Sequence, residues 1–294
     1  MPFMIEESIM KKEFAYLCDS GADIGVDEAR NLQIEVIRMP ITIDHKTYME
    51  GTEISNRSII KNLNEGKMVM TSQPILGDVV KKWDELLEQY ENIFYIPLGK
   101  AYSNTSQTAQ SLAQEEPYKG HVYVVDSTFI SYPIVTYLLW AREQIEKGYA
   151  PQLVKEKIEK EGHMEACVIP KDLEIIKRGG RISPTVAAMA GLLKIIPLLW
   201  LDNEGIKPLS KVRTLNKAYK KGIESVTEGA NSTEYTWMII DADNRQMSDE
   251  LLPLLKEKVD NEEVQQHIFN AIILSHAGPG TIGFGKIKKL KMED

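Results

Sequence analysis

The chain has 294 residues, of which 43% are hydrophobic and 27% charged, the proportions of a globular protein with one large domain or two lobes. Its 35 Lys and Arg against 43 Asp and Glu give a net charge of -8. That balance excludes a broad basic face for nucleic acid and a polybasic membrane anchor.

In chain order, EFAYLCDSGADI reads as a buried strand, Phe14 to Cys18, emptying into a polar turn. EVIRMPITIDHKTYMEG reads as extended chain around Pro40, with IDHK as a hairpin turn. In ILGDVVKKWDELLEQY the apolar residues Leu76, Val79, Val80, Trp83, Leu86, Leu87 and Tyr90 recur at three- and four-residue steps, which predicts an amphipathic helix. NIFYIPL predicts a strand, SNTSQTAQSLAQEE a helix with a hydroxyl-rich start, and GHVYVVDS another strand. PIVTYLLWAREQIEKG and APQLVKEKIEKEG predict two helices. Strand and helix alternate, so residues 14–163 read as an α/β lobe with a mostly parallel sheet, after an N-terminal extension over 1–13.

Residues 164–294 read as an α+β lobe, with the boundary near EKEGHME. A strand EACVIP leads to a helix LEIIKR, a GGRISP turn and an apolar helix through Leu193. IPLLWL and IKPLSKVR flank DNEG as a hairpin. A long helix, a strand YTWMIID, a helix around DELLPLLKEKV and a closing strand NAIILS follow.

Cys18 and Cys167 lie in the apolar stretches FAYLC and EACVI, which suits buried thiols better than a disulfide or a metal pair. The N-terminus MPFMIEESIMKKEF carries acids where a signal peptide needs a basic start and an apolar core. The run AAMAGLLKIIPLLWL contains Lys194 and Pro197 and is too short to span a bilayer. A cytoplasmic location is expected.

The last strong turn signal is SHAGPGTIGFG, in which Gly278, Gly280 and Gly283 have the G-x-G-x-x-G spacing of a dinucleotide loop. That fingerprint also needs a helix, a second strand and a later acid, and only eleven residues follow Gly283. The nucleotide reading fails for want of chain. His276 stands at the expected strand end, among glycines that let a ligand approach the backbone. A histidine satisfied by backbone is the alternative.

Other polar signals sit in similar places. TSQP (71–74) precedes a helix, with Ser72 as N-cap and Pro74 in the first turn. YSNTSQT (102–108) stands between a strand and a helix, where free N–H groups and hydroxyls make an anion site or simply a cap. DSGAD (19–23) reads as a turn. Asp44, Asp126, Asp241 and Asp243 also read as turn residues, since no His or Cys spacing for a metal accompanies them. KRGGRIS (177–183) places a double-glycine turn and cations at a helix end, and SKVRT (210–214) is a cationic strand end.

Taken in order, DSGADI, IEVIRMPITIDHKTYMEG, TSQP, YSNTSQTAQ, VYVVDS, LEIIKRGGRIS, SKVR and SHAGPGTIG resemble the DegV family, whose members include the fatty-acid-binding subunits of bacterial fatty acid kinase. The resemblance runs from about Phe14 onward. It implies a two-lobed α/β fold, an N-terminal mostly parallel α/β lobe with a C-terminal α+β lobe, and a buried tunnel for a long-chain fatty acid. It further implies a carrier without cofactor or turnover of its own, which presents the acyl carboxylate to a separate kinase for acyl phosphate formation. By position, Thr71, Ser103 and His276 would meet the carboxylate, while Arg181 and Arg213 would look outward toward the kinase. Met189 and Leu193 are candidates for the tunnel wall.

The chain departs from the family pattern at two places. Where a serine pair followed by Gly-Leu-Ser-Gly-Thr is usual, it reads Gly99-Lys100-Ala101-Tyr102-Ser103-Asn104-Thr105. In the final loop Ser275 stands for a threonine and Ala277 for the threonine after the histidine. Two other readings remain: an acyl hydrolase in which Ser103, His276 and Asp19 or Asp126 form a triad, though no G-x-S-x-G elbow is present, and a diverged interaction protein without lipid.

Overall fold

The computed structural model describes residues 11–189 and 194–292. Residues 1–10 of the expected N-terminal extension, and Leu193 at the end of the expected apolar helix, lie outside the described residues. The chain opens with β1 (Lys12–Asp19), which takes in Lys12 and Glu13, then α1 (Val26–Asn31) and β2 (Glu35–Ile37). β3 (Pro40–Ile43) and β4 (Lys46–Met49) form the hairpin expected at IDHK. Asp44 and His45 close it with φ of 47 and 67, the left-handed pair that a two-residue hairpin turn requires. Next come α2 (Asn56–Asn64), β5 (Val69–Thr71), α3 (Leu76–Gln89), β6 (Tyr90–Ile96), α4 (Thr105–Leu112) and β7 (Val122–Val124). α5 (Pro133–Glu146) and α6 (Pro151–Glu161) complete this half.

β8 (Met164–Ile169), α7 (Leu173–Arg178), α8 (Pro184–Ala187), β9 (Ile196–Asp202) and β10 (Gly205–Val212) begin the second half. It continues through α9 (Leu215–Thr227), β11 (Tyr235–Asp241), α10 (Arg245–Lys258) and β12 (Val264–Ile268). It ends with α11 (Ala271–Ala277) and β13 (Ile282–Lys288).

Three sheets result. The first is wholly parallel, in the order β2-β1-β6-β7. Its strands are buried on both faces: Leu17, Trp83 and Tyr95 pack with α3 on one side, and Cys18, Phe94 and Leu138 pack with α5 on the other. The second has the order β10-β9-β8-β13-β11-β12 and is antiparallel except for the β11–β12 pair. α9 and α10 cover one of its faces through Ile223, Leu251, Leu255 and Phe284. A small antiparallel sheet, β4-β3-β5, stands apart. Among the described residues no helix is long and apolar enough to cross a membrane. Both cysteines are free and buried, and burial pushes the Cys167 thiol up to about 12.

Three expectations are corrected. NAIILS is not a strand but the helix α11, and the strands β12 and β13 around it were not expected. Ala271, Ile272, Ile273, Leu274 and Ser275 are all buried, because the helix is wedged against α2, β5 and α7. A short helix buried on every side has no polar face, so its sequence carries no helical period. The closing glycines therefore follow a helix and enter a strand, the reverse of the nucleotide fingerprint. Ser72 is also no N-cap and Pro74 no first-turn residue: α3 starts at Leu76, behind Ile75, which makes no side-chain cap bond. Ser72 instead donates its N–H to the Pro40 carbonyl, extending the β3–β5 pairing. Gln73, preceding Pro74, is steered away from the helical region.

Seven residues are too few to be helical by themselves, and α11 is anchored at its N-terminus. The Asn270 N–H donates to Asp23 Oδ1 at 2.7 Å, and its side-chain amide donates to the Asp23 carbonyl at 2.5 Å. Ser131 donates its hydroxyl to Asp23 Oδ2, and Asn56 Nδ2 donates to Asn270 Oδ1 at 3.1 Å. The turn after β1, the segment after β7 and α11 are thus tied at one buried carboxylate, and the Asn270 side chain extends the network to α2. Asp23→Ala is expected to lower the urea midpoint, at about 1–3 kcal/mol for each donor left without an acceptor. An unchanged midpoint would mean that the anchor contributes nothing to folding.

Candidate functional site

Between the six-stranded sheet and the segments that follow β2, β6 and β7 of the parallel sheet lies a cavity of about 1200 Å³, counting the space open at its mouth. Its wall is mostly apolar: Met39 and Leu98 from the first half, Met164, Val168, Leu199, Leu201, Ile206, Met238 and Ile240 from the six-stranded sheet, and Ile272 and Ile273 from α11. Val168 and Leu199 are backed by Met189, which does not itself line the cavity, contrary to expectation.

Among the polar groups of the wall, three come from segments far apart in sequence. Thr71 ends β5, Ser103 precedes α4, and His276 lies in the last turn of α11; all three line the cavity. Thr71 Oγ1 and His276 Nε2 are 2.6 Å apart and hydrogen-bonded across 205 residues of sequence. Ser103 Oγ accepts from the Thr105 N–H at 3.2 Å and lies 2.7 Å from Thr105 Oγ1, so this hydroxyl caps the start of α4. His276 Nδ1 is buried and has no hydrogen-bond partner among the described residues. Burial first, and the nearby Arg181 cation second, lower the His276 pKa to about 4, so the ring is neutral at pH 7.

Sequence reasoning missed the residues that shape this space. A Cβ on Gly179 would sit 2.4 Å from His276 Nδ1, so the first glycine of KRGGRIS lets the imidazole pack against the backbone. The floor is the centre of the six-stranded sheet. Along β13, Phe284 packs against α9 and Lys286 donates to the Val226 carbonyl of α9 at 2.8 Å. Strand alternation turns Gly283 and Gly285 to the opposite face, beside Ala166 of β8, and all three line the cavity. A Cβ on Gly285 would come 2.0 Å from the Glu165 carbonyl oxygen, whereas one on Gly283 would only touch Phe269 at 3.5 Å. The alternation in IGFGKI is a period-two signal for a strand with one bare face, and it was readable.

Other expected residues are placed differently. Arg181 is exposed but also lines the cavity, donating to the Gly179 carbonyl at 2.8 Å, so it stands at the mouth and does not look only outward. Arg213 is exposed just beyond β10 and takes no part in the cavity wall. The hydrolytic triad is not assembled. Asp19 accepts from the Gly21 and Leu98 N–H groups at 2.9 and 2.8 Å, and Asp126 pairs with Lys100 at 2.8 Å. His276 is bonded to Thr71 instead of Ser103, and among the described residues no carboxylate orients its ring.

The neutral state of His276 is open to measurement. In an NMR pH titration its imidazole should keep one protonation state from pH 8 to pH 5. Removing the cation by Arg181→Gln should raise the midpoint, because a positive neighbour disfavours the imidazolium. A midpoint near the ordinary histidine value in the unaltered protein would contradict the burial described above.

The sequence profile described as "Uncharacterised protein, DegV family" matches residues 13–289. Protein DegV of Bacillus subtilis is 29% identical over 273 residues, covering 92% of this chain and 97% of that protein. Among solved structures, a DegV family protein of Thermus thermophilus described by its fatty acid binding is similar with a TM-score of 0.82, at 26% identity over 95% of this chain and 100% of that one. The structure of Bacillus subtilis DegV, described as a fatty acid binding protein, is similar with a TM-score of 0.79, at 27% identity over 95% and 100% of the two chains. With the match running from the first strand to the last, the chain belongs to the DegV family.

Proposed function

We propose that this chain binds a long-chain fatty acid in the cavity, with its carboxylate at Thr71, Ser103 and His276. The observation that carries the reading is the hydrogen-bonded Thr71–His276 pair set in the wall of an otherwise apolar cavity. The fatty acid binding described for the relatives from Thermus thermophilus and Bacillus subtilis supports it.

The physical division of labour follows from the wall. At about 0.8 kcal/mol per methylene removed from water, an acyl chain of roughly fifteen such groups gains on the order of 12 kcal/mol. Association and ordering costs offset a good part of that. The tail supplies affinity, and the polar groups set register. Two hydroxyls and a neutral imidazole orient a carboxylate without the ground-state stabilisation of an arginine fork. The carboxylate therefore remains a competent nucleophile toward phosphorus. In the proposed reaction a separate kinase supplies nucleotide and metal, and the chain acts as carrier and co-substrate platform. Arg181 at the mouth and the exposed Arg213 are the proposed contacts for that kinase.

Native mass spectrometry of protein purified from a bacterial host tests the ligand: a retained long-chain fatty acid is expected, and a ligand-free protein that also fails to bind added oleate or palmitate would sink the reading. Gly283→Leu should fill the floor and weaken binding of a long-chain acid at least tenfold while leaving the melting temperature nearly unchanged. Thr71→Val should cost about tenfold in affinity, the worth of one hydrogen bond to a charged group. Retained affinity in both variants would place the ligand elsewhere.

A further inference from the structure

A second polar group belongs to the cavity wall and takes no part in the Thr71–Ser103–His276 cluster. Tyr102 lines the cavity, is 8% exposed, and its hydroxyl is shielded from solvent with no hydrogen-bond partner among the described residues. Its backbone N–H donates to the Gly99 carbonyl at 2.9 Å, which fixes the loop that carries it. Buried hydroxyls nearly always have a partner, so one without a partner beside a cavity calls for an acceptor from outside the chain.

The surroundings decide which acceptor. The charge that acts on the Tyr102 phenol is the Asp202 carboxylate at the end of β9, whereas the charge that acts on His276 is Arg181. The Asp202 carboxylate is itself paired with Lys207 at 3.0 Å, so no bare charge marks the Tyr102 locus. Burial and the negative Asp202 keep the phenol protonated, so it is a hydrogen-bond donor. Tyr102 belongs to the apolar cluster against which Leu201 and Ile206 pack, and these residues share the cavity wall with it, so the locus favours acyl chain over a charged group. A neutral oxygen on that chain meets both conditions.

We propose that Tyr102 is a specificity-determining residue whose hydroxyl donates to a neutral oxygen on the acyl chain, so that the cavity selects oxygenated long-chain acids, such as hydroxy acids, over the unsubstituted acid. This rests on the reading of the cavity as a fatty acid site. A site with a hydrogen-bonding group placed for a substrate oxygen discriminates against the analogue that lacks it, because the group is then left unpaired.

The test measures affinities of the whole chain for stearate and for hydroxystearates bearing the hydroxyl near the carboxyl, at mid-chain and near the methyl end, by competition with a fluorescent fatty acid. At least one positional isomer should bind about tenfold more tightly than stearate, and Tyr102→Phe should abolish that preference while leaving stearate affinity unchanged. Tyr102→Phe removes only an unpartnered oxygen, so its melting temperature should not fall. Tyr102→Leu should likewise show no preference among the isomers.

If stearate binds and no isomer binds better, or if Tyr102→Phe keeps the preference, the proposal is overturned and a resident water is the partner of the phenol. If Tyr102→Phe weakens stearate itself, the phenol holds the carboxylate and the proposal is again overturned. If no acid binds to any form of the protein, the reading of the cavity fails and this inference fails with it.

Discussion

A seven-residue helix buried on every side holds the candidate site together. α11 cannot be stable alone, and it carries the histidine at its far end. Its start is held by Asp23, a buried carboxylate that accepts from Ser131 and from the Asn270 N–H. Burial pushes the Asp23 carboxyl well above its ordinary value, against the lowering effect of those same hydrogen bonds. Because Asp23 follows β1 and Ser131 follows β7, the parallel sheet determines where α11 begins. The helix then crosses to the small sheet, where His276 meets Thr71. The head of the cavity is the point at which three sheets are tied together.

That arrangement also accounts for the character of the site. A histidine sunk to the depth of His276, with an arginine near it, is held neutral, and its one strong partner is a hydroxyl. Neither Asp19 nor Asp126 is free to orient it, since each is committed to other donors. The imidazole and the hydroxyls can therefore present neutral hydrogen bonds to an anion, with the Arg181 cation standing near them in the wall. Opposite the head, bare glycine positions on β13 and Ala166 on β8 keep side chains out of the floor. The cavity is a consequence of strand alternation as much as of the separation between the sheets.

Much of this was legible in the sequence. The alternation up to residue 163 follows simple periodicity, and the hairpin turn at IDHK is where it was expected, closed by Asp44 and His45. The order of weak motifs led to Thr71, Ser103 and His276, which do line one cavity. What failed did so for physical reasons. The run Ala271–Leu274 is apolar throughout and β-branched at its centre, so only its tertiary surroundings make it a helix. The Asp23–Asn270 bond spans 247 residues, and nothing local in DSGAD announces it. The fit of Gly179 against His276 is likewise a long-range fact. By contrast, the bare face of β13 is written locally, in the period-two alternation of IGFGKI.

The central claim is that a carboxylate sits at the Thr71–His276 pair with its chain over the glycine floor. A crystal structure of the protein with oleate tests it most directly. The account predicts the carboxylate within hydrogen-bonding distance of Thr71 Oγ1 and Ser103 Oγ, and the acyl chain in contact with Gly283, Ala166 and Ile272. An acyl chain bound in the reverse direction, or outside this cavity altogether, would contradict it.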